Sequence, residues 1–253
     1  MKYLSAFFLI LILTSCENKT TKLTAEEIIN KSITVSGGEK FDSANYSFKF
    51  RDKLYRASRN NGMFSISREF QQDSLGFIED VVTNDGFERF INKEKVELAD
   101  SIANVLSASV NSVHYFSVLP YGLESDAVKK KLLGVVTISN KPYHKIKVTF
   151  KEEGGGEDFE DEFVYWIQTE TFKVDYLAYS YKEEDGTGYR FREAFNERFV
   201  DGLRFVDYNN YKPEIEGISV EDLDDLFEKK ELKLLSEIKL ETIIMGSTSA
   251  INP

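Results

Sequence analysis

The residue types that carry most enzyme chemistry are scarce in this chain, which holds one cysteine and two histidines. Cys16 stands alone near the start, so neither a disulfide framework nor a thiolate metal cluster can be assembled from a single chain. His114 lies beside Tyr115 in an apolar stretch, and His144 follows Pro142-Tyr143. Neither has a cysteine or second histidine at ligand spacing, and triad partners would have to come from distant segments, so both are read as structural. There is no Gly-x-Ser-x-Gly elbow, and Lys129-Lys130-Lys131 is a solvated cluster, unlike the desolvated lysine of Schiff-base chemistry. The Gly154-Gly155-Gly156 run is ringed by Glu152, Glu153, Glu157 and Asp158. Their charges repel phosphate and EF-hand spacing is missing, so the run reads as a hairpin tip. Glu183-Glu184-Asp185-Gly186 reads as a turn in the same way. No catalytic residue, metal ligand or cofactor is assigned and the chain is not read as an enzyme; a carboxylate-dependent hydrolase is the chemistry its acidic residues would best allow.

The arginines offer something else, the forked recognition of an anion. Strand alternation puts Arg190, Arg192 and Arg198 on one face with Ala194 and Asn196, and Phe191, Phe195 and Phe199 on the other. A two-residue turn at Asp201-Gly202 would set Arg198 opposite Phe205, Asn196 opposite Asp207 and Arg192 opposite Tyr211. Two readings stay open. The arginine side is an exposed surface of cross-strand pairs, or it lines the mouth of a cavity and holds an anionic headgroup or carboxylate. Arg68 shares its strand face with Phe64, Ile66 and Phe70 and needs a partner, for which Glu79 across the next hairpin is suited. Arg68, Arg190, Arg192, Arg198 and Tyr211 are therefore the candidate ligand-binding residues.

Composition narrows the partners. Lys and Arg number 32 against 43 Asp and Glu, a net charge of −11. That balance argues against nucleic acid, whose phosphates need a basic footprint. With 42% hydrophobic and 30% charged residues over 253 positions, the chain is that of one folded domain with short appendages.

Met1-Lys2-Tyr3 followed by the apolar run Leu4 to Leu13 has the form of an export signal, too short for an ordinary membrane span. Leu13-Thr14-Ser15-Cys16 resembles the lipobox of bacterial lipoproteins, which makes Cys16 the site of lipid attachment and the membrane a partner through it. The expected organisation is a signal peptide over 1–15, a flexible tether over 16–22, a single α+β domain over 23–246 and a tail over 247–253. Glu17 in place of Asp removes one inner-membrane retention cue, and the expected location is the outer membrane.

Thr24-x-x-Glu27 has capping-box spacing, and Ile28, Ile29 and Ile33 share a helical face up to Gly37-Gly38. From Asn45 the period changes to two, and Asn61-Gly62, Asp85-Gly86 and Asp201-Gly202 punctuate an antiparallel meander. Asp100 to Val118 returns to helical spacing, with small polar residues such as Ser107, Asn111 and Ser112 on one side. A helical turn is expected over Asp126 to Leu133, a late helix over Ser219 to Lys230 with Ser219 as cap, and a last strand over Leu232 to Ile244. This order lacks the strand–helix alternation of parallel sheets. It predicts an α+β fold, a strongly curved antiparallel sheet with helices covering the concave side and an apolar groove beneath the Asp100–Val118 helix.

Two resemblances follow from particular segments. The opening helix closed by Gly37-Gly38, together with Val164-Tyr165-Trp166-Ile167 and the turn to Phe172-Lys173-Val174-Asp175-Tyr176, is similar to periplasmic lipoprotein carriers of the LolA type. The resemblance implies a half-open β-barrel with helices as a lid over a cavity for acyl chains. The segments Asn111 to Phe116, Phe163 to Ile167, Asp175 to Tyr181 and Arg190 to Asn196 resemble a family of lipoproteins of diderm bacteria whose function is uncharacterised, and that likeness carries no activity with it. The function expected is non-covalent binding of a lipid or other apolar ligand in the envelope; the alternative is an envelope scaffold or assembly partner filled by its own side chains.

Overall fold

The computed structural model describes residues 22–153, 160–183 and 186–246. The expectations for Cys16, the signal segment, tether residues 16–21, the glycines at 154–156 and the 247–253 tail fall outside those residues. Helix α1 (Ala25–Ser36) begins as its capping box requires: the Glu27 amide donates to the Thr24 hydroxyl (3.2 Å) and the Thr24 amide to the Glu27 carboxylate (2.7 Å). It stops at Gly37, whose φ of 134° suits glycine and whose added Cβ would stand 2.8 Å from Leu203 Cδ2. A 3₁₀ turn, Gly38–Ser43, leads into strands β1 (Asn45–Phe50), β2 (Lys53–Asn60), β3 (Met63–Gln72), β4 (Gly76–Thr83), β5 (Gly86–Ile91) and β6 (Glu94–Val96). Helix α2 (Asp100–Val118) follows. Then come β7 (Val128–Ile138), β8 (Lys141–Phe150), β9 (Glu162–Gln168), β10 (Val174–Glu183), β11 (Gly186–Val200) and β12 (Leu203–Pro213). A 3₁₀ turn, Val220–Asp222, runs into α3 (Leu223–Glu228), and β13 (Leu232–Ile238) and β14 (Glu241–Met245) complete the described chain. No helix among the described residues is long and apolar enough to cross a membrane.

The α+β order is the one the sequence predicts, but the strands do not form a single curved sheet. Among the described residues they make two seven-stranded antiparallel sheets, β14-β1-β2-β3-β4-β5-β6 and β13-β12-β11-β10-β9-β8-β7, with no closed barrel. A twisted open sheet beyond roughly ten strands tends to split, and the split falls inside the run Leu232 to Ile244 expected as one strand. There the Asp207 carboxylate accepts the Leu240 amide (2.9 Å) and Arg198 Nη2 (2.9 Å), while Arg198 also donates to the Leu240 carbonyl (2.5 Å). The bonds hold Leu240 at the crossing, so β13 stays on β12 and β14 pairs with β1. The Asp126–Leu133 turn is also corrected: Val128 onward is edge strand β7, whose lysines blunt the exposed edge.

The helices are minor elements, and they do not share one side as expected. Ile28 and Ile29 of α1 are fully buried among Ile146, Val148, Tyr165, Ile167 and Leu177 on the inner face of the second sheet. Val110 and Val118 of α2 pack with Phe48, Tyr55 and Ile66 of the first sheet and Phe205 of the second, which wedges α2 between the two. Helix α3 lies on the opposite face of the second sheet, over Val164, Trp166 and Phe191. Asp224 fastens it there, accepting Lys145 Nζ (2.8 Å) and Trp166 Nε1 (3.1 Å).

Candidate functional site

Helix α2 is fixed to the first sheet by polar as well as apolar contacts. Asp80, fully buried, accepts Arg68 Nη2 (2.6 Å) and Arg89 Nε (2.6 Å), and Arg68 Nη1 reaches Ser109 Oγ on the helix (2.8 Å). The partner of Arg68 is thus Asp80, not Glu79. Register pairs Arg68 with Asp80 and sets Glu79 opposite Glu69, and burial, then the Glu69 charge, raises the Glu79 carboxyl above its ordinary value.

One turn further along, His114 is buried with Nε2 3.0 Å from the Ser67 carbonyl and its ring edge-on to Phe48 and Tyr55. Burial pushes its pKa down to about 4. An unfolded imidazole protonates near 6.5. Acidification from 6.5 to 4 therefore protonates the unfolded chain first and removes up to about 3 kcal/mol of stability, with no contribution above that window. Urea midpoints followed across it should fall less steeply for His114→Gln than for the parent; parallel slopes would mean that His114 takes up its proton while folded. His144 stacks on Phe172 (6.2 Å between centroids).

The other side of α2 does not close on the second sheet. Ala108, Ser109 and Ser112 are too small to fill the gap, and a cavity of about 670 Å³ lies between the helix and the inner sheet face. That volume falls among ordinary small-ligand sites, roughly 300–1,000 Å³. Its walls are aromatic: Phe116 against Tyr179 (5.1 Å), Phe163 against Tyr179 (5.5 Å) and Tyr115 against Phe163 (5.9 Å). Val206, Tyr208, Ile238 and Leu240 continue the lining. The Tyr115 and Tyr165 hydroxyls bond each other at 2.9 Å. Burial raises the Tyr115, Tyr165 and Tyr208 phenols above their ordinary value, which keeps them neutral near pH 7.

Into this lining projects Arg192, only 8% exposed. Its Cζ lies 3.7 Å from the Phe116 centroid, 5.2 Å from Tyr179 and 5.9 Å from Tyr208. Nη2 donates to the Tyr179 hydroxyl (2.9 Å), while the buried Nε has no hydrogen-bond partner, and no carboxylate among the described residues forms an ion pair with the guanidinium. On the exposed side of the cavity, Lys182 is paired with Glu160, next to Asp161.

The remaining candidates are placed elsewhere. A bulge between Phe195 and Arg198 sets Asn196 and Glu197 against Val206 alone, with Asn196 at φ 50°. Phe195, not Asn196, therefore faces Asp207, and Arg192 pairs with Asn210 while Phe191 takes Tyr211. The same bulge reverses the faces, so Arg192 turns inward beside Tyr208 whereas Arg198 turns to Asp207 and the sheet crossing. Arg190 lies over the Tyr181 ring (5.0 Å). Tyr211 is on the outer face, against Phe227 of α3 and bonded to Glu193 (3.0 Å). Tyr179 and Phe116, which cradle Arg192, were not singled out from sequence, although each lies in an aromatic-rich segment quoted there.

Residues 2–240 match the model of a family described as a family of unknown function (DUF6503). No curated protein matches the chain. Among solved structures the fold is similar to a LolA superfamily protein from Nitrosomonas europaea, with 11% identity, 89% of this chain and 95% of that one covered, and a TM-score of 0.49. It is also similar to a DUF1329 family protein from Desulfovibrio piger (12% identity, 75% and 86% covered, TM-score 0.38) and to lipoprotein LppX of Mycobacterium tuberculosis (11%, 64% and 90%, TM-score 0.29). None of these likenesses lends this chain a ligand or an activity.

Proposed function

Because the chain belongs to the DUF6503 family of unknown function, its membership brings no activity, and we propose that it binds a lipid or other apolar molecule non-covalently in the cavity beneath α2. The observation that supports this is the cavity itself, about 670 Å³ and walled by Phe116, Phe163, Tyr179 and Tyr208. Interiors are normally packed to crystal-like density, and a scaffold filled by its own side chains has no use for such a gap. With Cys16 acylated, the domain would work as a tethered binder at the outer membrane, without catalytic chemistry or cofactor.

Filling the cavity from the helix side is the direct test. Ala108, half-buried on the lining face of α2, can be replaced by Trp with little disturbance of the face toward the first sheet. Uptake of the uncharged fluorophore N-phenyl-1-naphthylamine should weaken by about tenfold or more in Ala108→Trp, a change of at least ~1.4 kcal/mol. Equal uptake by a folded variant would place the probe elsewhere and remove the cavity from the reading.

A further inference from the structure

The charge inside the cavity narrows what the ligand is. We infer that the site takes an apolar monocarboxylate, inserted with its carboxylate on Arg192 and its aliphatic part along the small-residue face of α2. The inference rests on the cavity being a ligand site and adds the chemistry of the ligand's polar end.

A guanidinium taken out of water normally finds a carboxylate. Arg68 and Arg89 do so, sharing Asp80. Arg204, also buried, does so with Glu197. Arg192 is as buried as Arg68 yet has only ring faces and one neutral phenol, and its Nε hydrogen is unspent. Cation–π contact with Phe116, Tyr179 and Tyr208 compensates part of its lost hydration. What it lacks is an anion, which from the open volume would accept at the Nη end of the guanidinium, because Nε has no exposed surface.

The anion has to carry one charge. Arg192 is the one cation lining the inner part of the cavity among the described residues, since Lys182 is exposed and already bound to Glu160. A dianionic phosphate would leave a charge uncompensated in a low-dielectric site, where an unpaired ion is strongly unfavourable. A carboxylate fits the planar fork of a guanidinium held among Phe116, Tyr179 and Tyr208.

Matched probes separate this from the broader reading. Palmitate, hexadecanol and hexadecyl phosphate would be titrated against the full-length protein, Arg192→Met and Arg192→Lys by displacement of N-phenyl-1-naphthylamine. Palmitate should bind about 10- to 100-fold tighter than hexadecanol to the parent, the range of a hydrogen bond to a charged group. Arg192→Met should erase the difference, chiefly through loss of palmitate affinity, and Arg192→Lys should keep part of it. If Arg192→Met fails to fold, the acid-to-alcohol ratio in the parent and in Arg192→Lys still decides. Hexadecanol binding as tightly as palmitate, or hexadecyl phosphate binding tighter than either, would overturn the carboxylate assignment while leaving an apolar site in place. Failure of all three probes to bind would overturn both.

Discussion

Replacing Asp80 by Asn lowers the stability of the protein by about 3–5 kcal/mol, the range expected when one partner of a buried ion pair is removed. Asp80 has no exposure to solvent and receives four hydrogen bonds from two guanidiniums, Nε and Nη2 of Arg68 and of Arg89. The amide leaves two adjacent guanidiniums, buried Arg68 and partly buried Arg89, without a counter-charge, and Arg68 is the group that holds Ser109 of α2. The damage should therefore reach the cavity, with weaker uptake of apolar probes by the fraction that remains folded. Glu79→Gln, one residue away, serves as the control. Burial and Glu69 already disfavour its charge, so the change is neutral or slightly stabilising. Urea unfolding of the two variants checks this, and a loss below about 1 kcal/mol in Asp80→Asn would mean that Arg68 and Arg89 find other acceptors.

Arg192→Met acts in the opposite direction: the ligand-free protein gains about 1–2 kcal/mol. The substitution removes an incompletely bonded buried guanidinium and puts a flexible apolar chain of similar reach against Phe116 and Tyr208, and the only group that loses a partner is the Tyr179 hydroxyl. The lost cation–π attraction offsets part of the gain. Two buried arginines in one domain thus answer substitution nearby with opposite signs, because one is compensated and the other is not. Residues that a ligand completes are commonly destabilising in its absence. Unfolding midpoints measured after delipidation give the sign; a loss of stability would show that Arg192 is a structural residue whose aromatic cage satisfies it.

Much of the fold was legible because local signals agreed with one another. Thr24 with Glu27 and Gly37 bounded α1, and the spacing from Ile102 to Phe116 gave α2 at Asp100–Val118. The turns at Asn61-Gly62 and Asp201-Gly202 took the positive φ values that their residues suit. What sequence could not show were one-residue displacements with long-range causes. A bulge at Asn196-Glu197 moved Arg192 from Tyr211 to Asn210 and separated it from Arg198. A shift from Glu79 to Asp80 changed the partner of Arg68 from a solvent-side carboxylate to a fully buried one. The break at Leu240 depends on Asp207 and Arg198, over thirty residues upstream. The cavity was half visible: Ser112 and the aromatics Tyr115 and Phe116 lie in the helix read from sequence, but Ala108 and Ser109 were not singled out, and the aromatics across the gap come from β9, β10 and β12.

Native mass spectrometry of the protein purified gently from its own envelope, followed by organic extraction, asks whether the cavity is filled in life. The expected spectrum shows one additional species per chain, which extracts as a lipid and is absent from Ala108→Trp. A clean mass for the unliganded chain, with no uptake of added palmitate or hexadecanol, would contradict a ligand site beneath α2 and leave the interior of this fold without a guest.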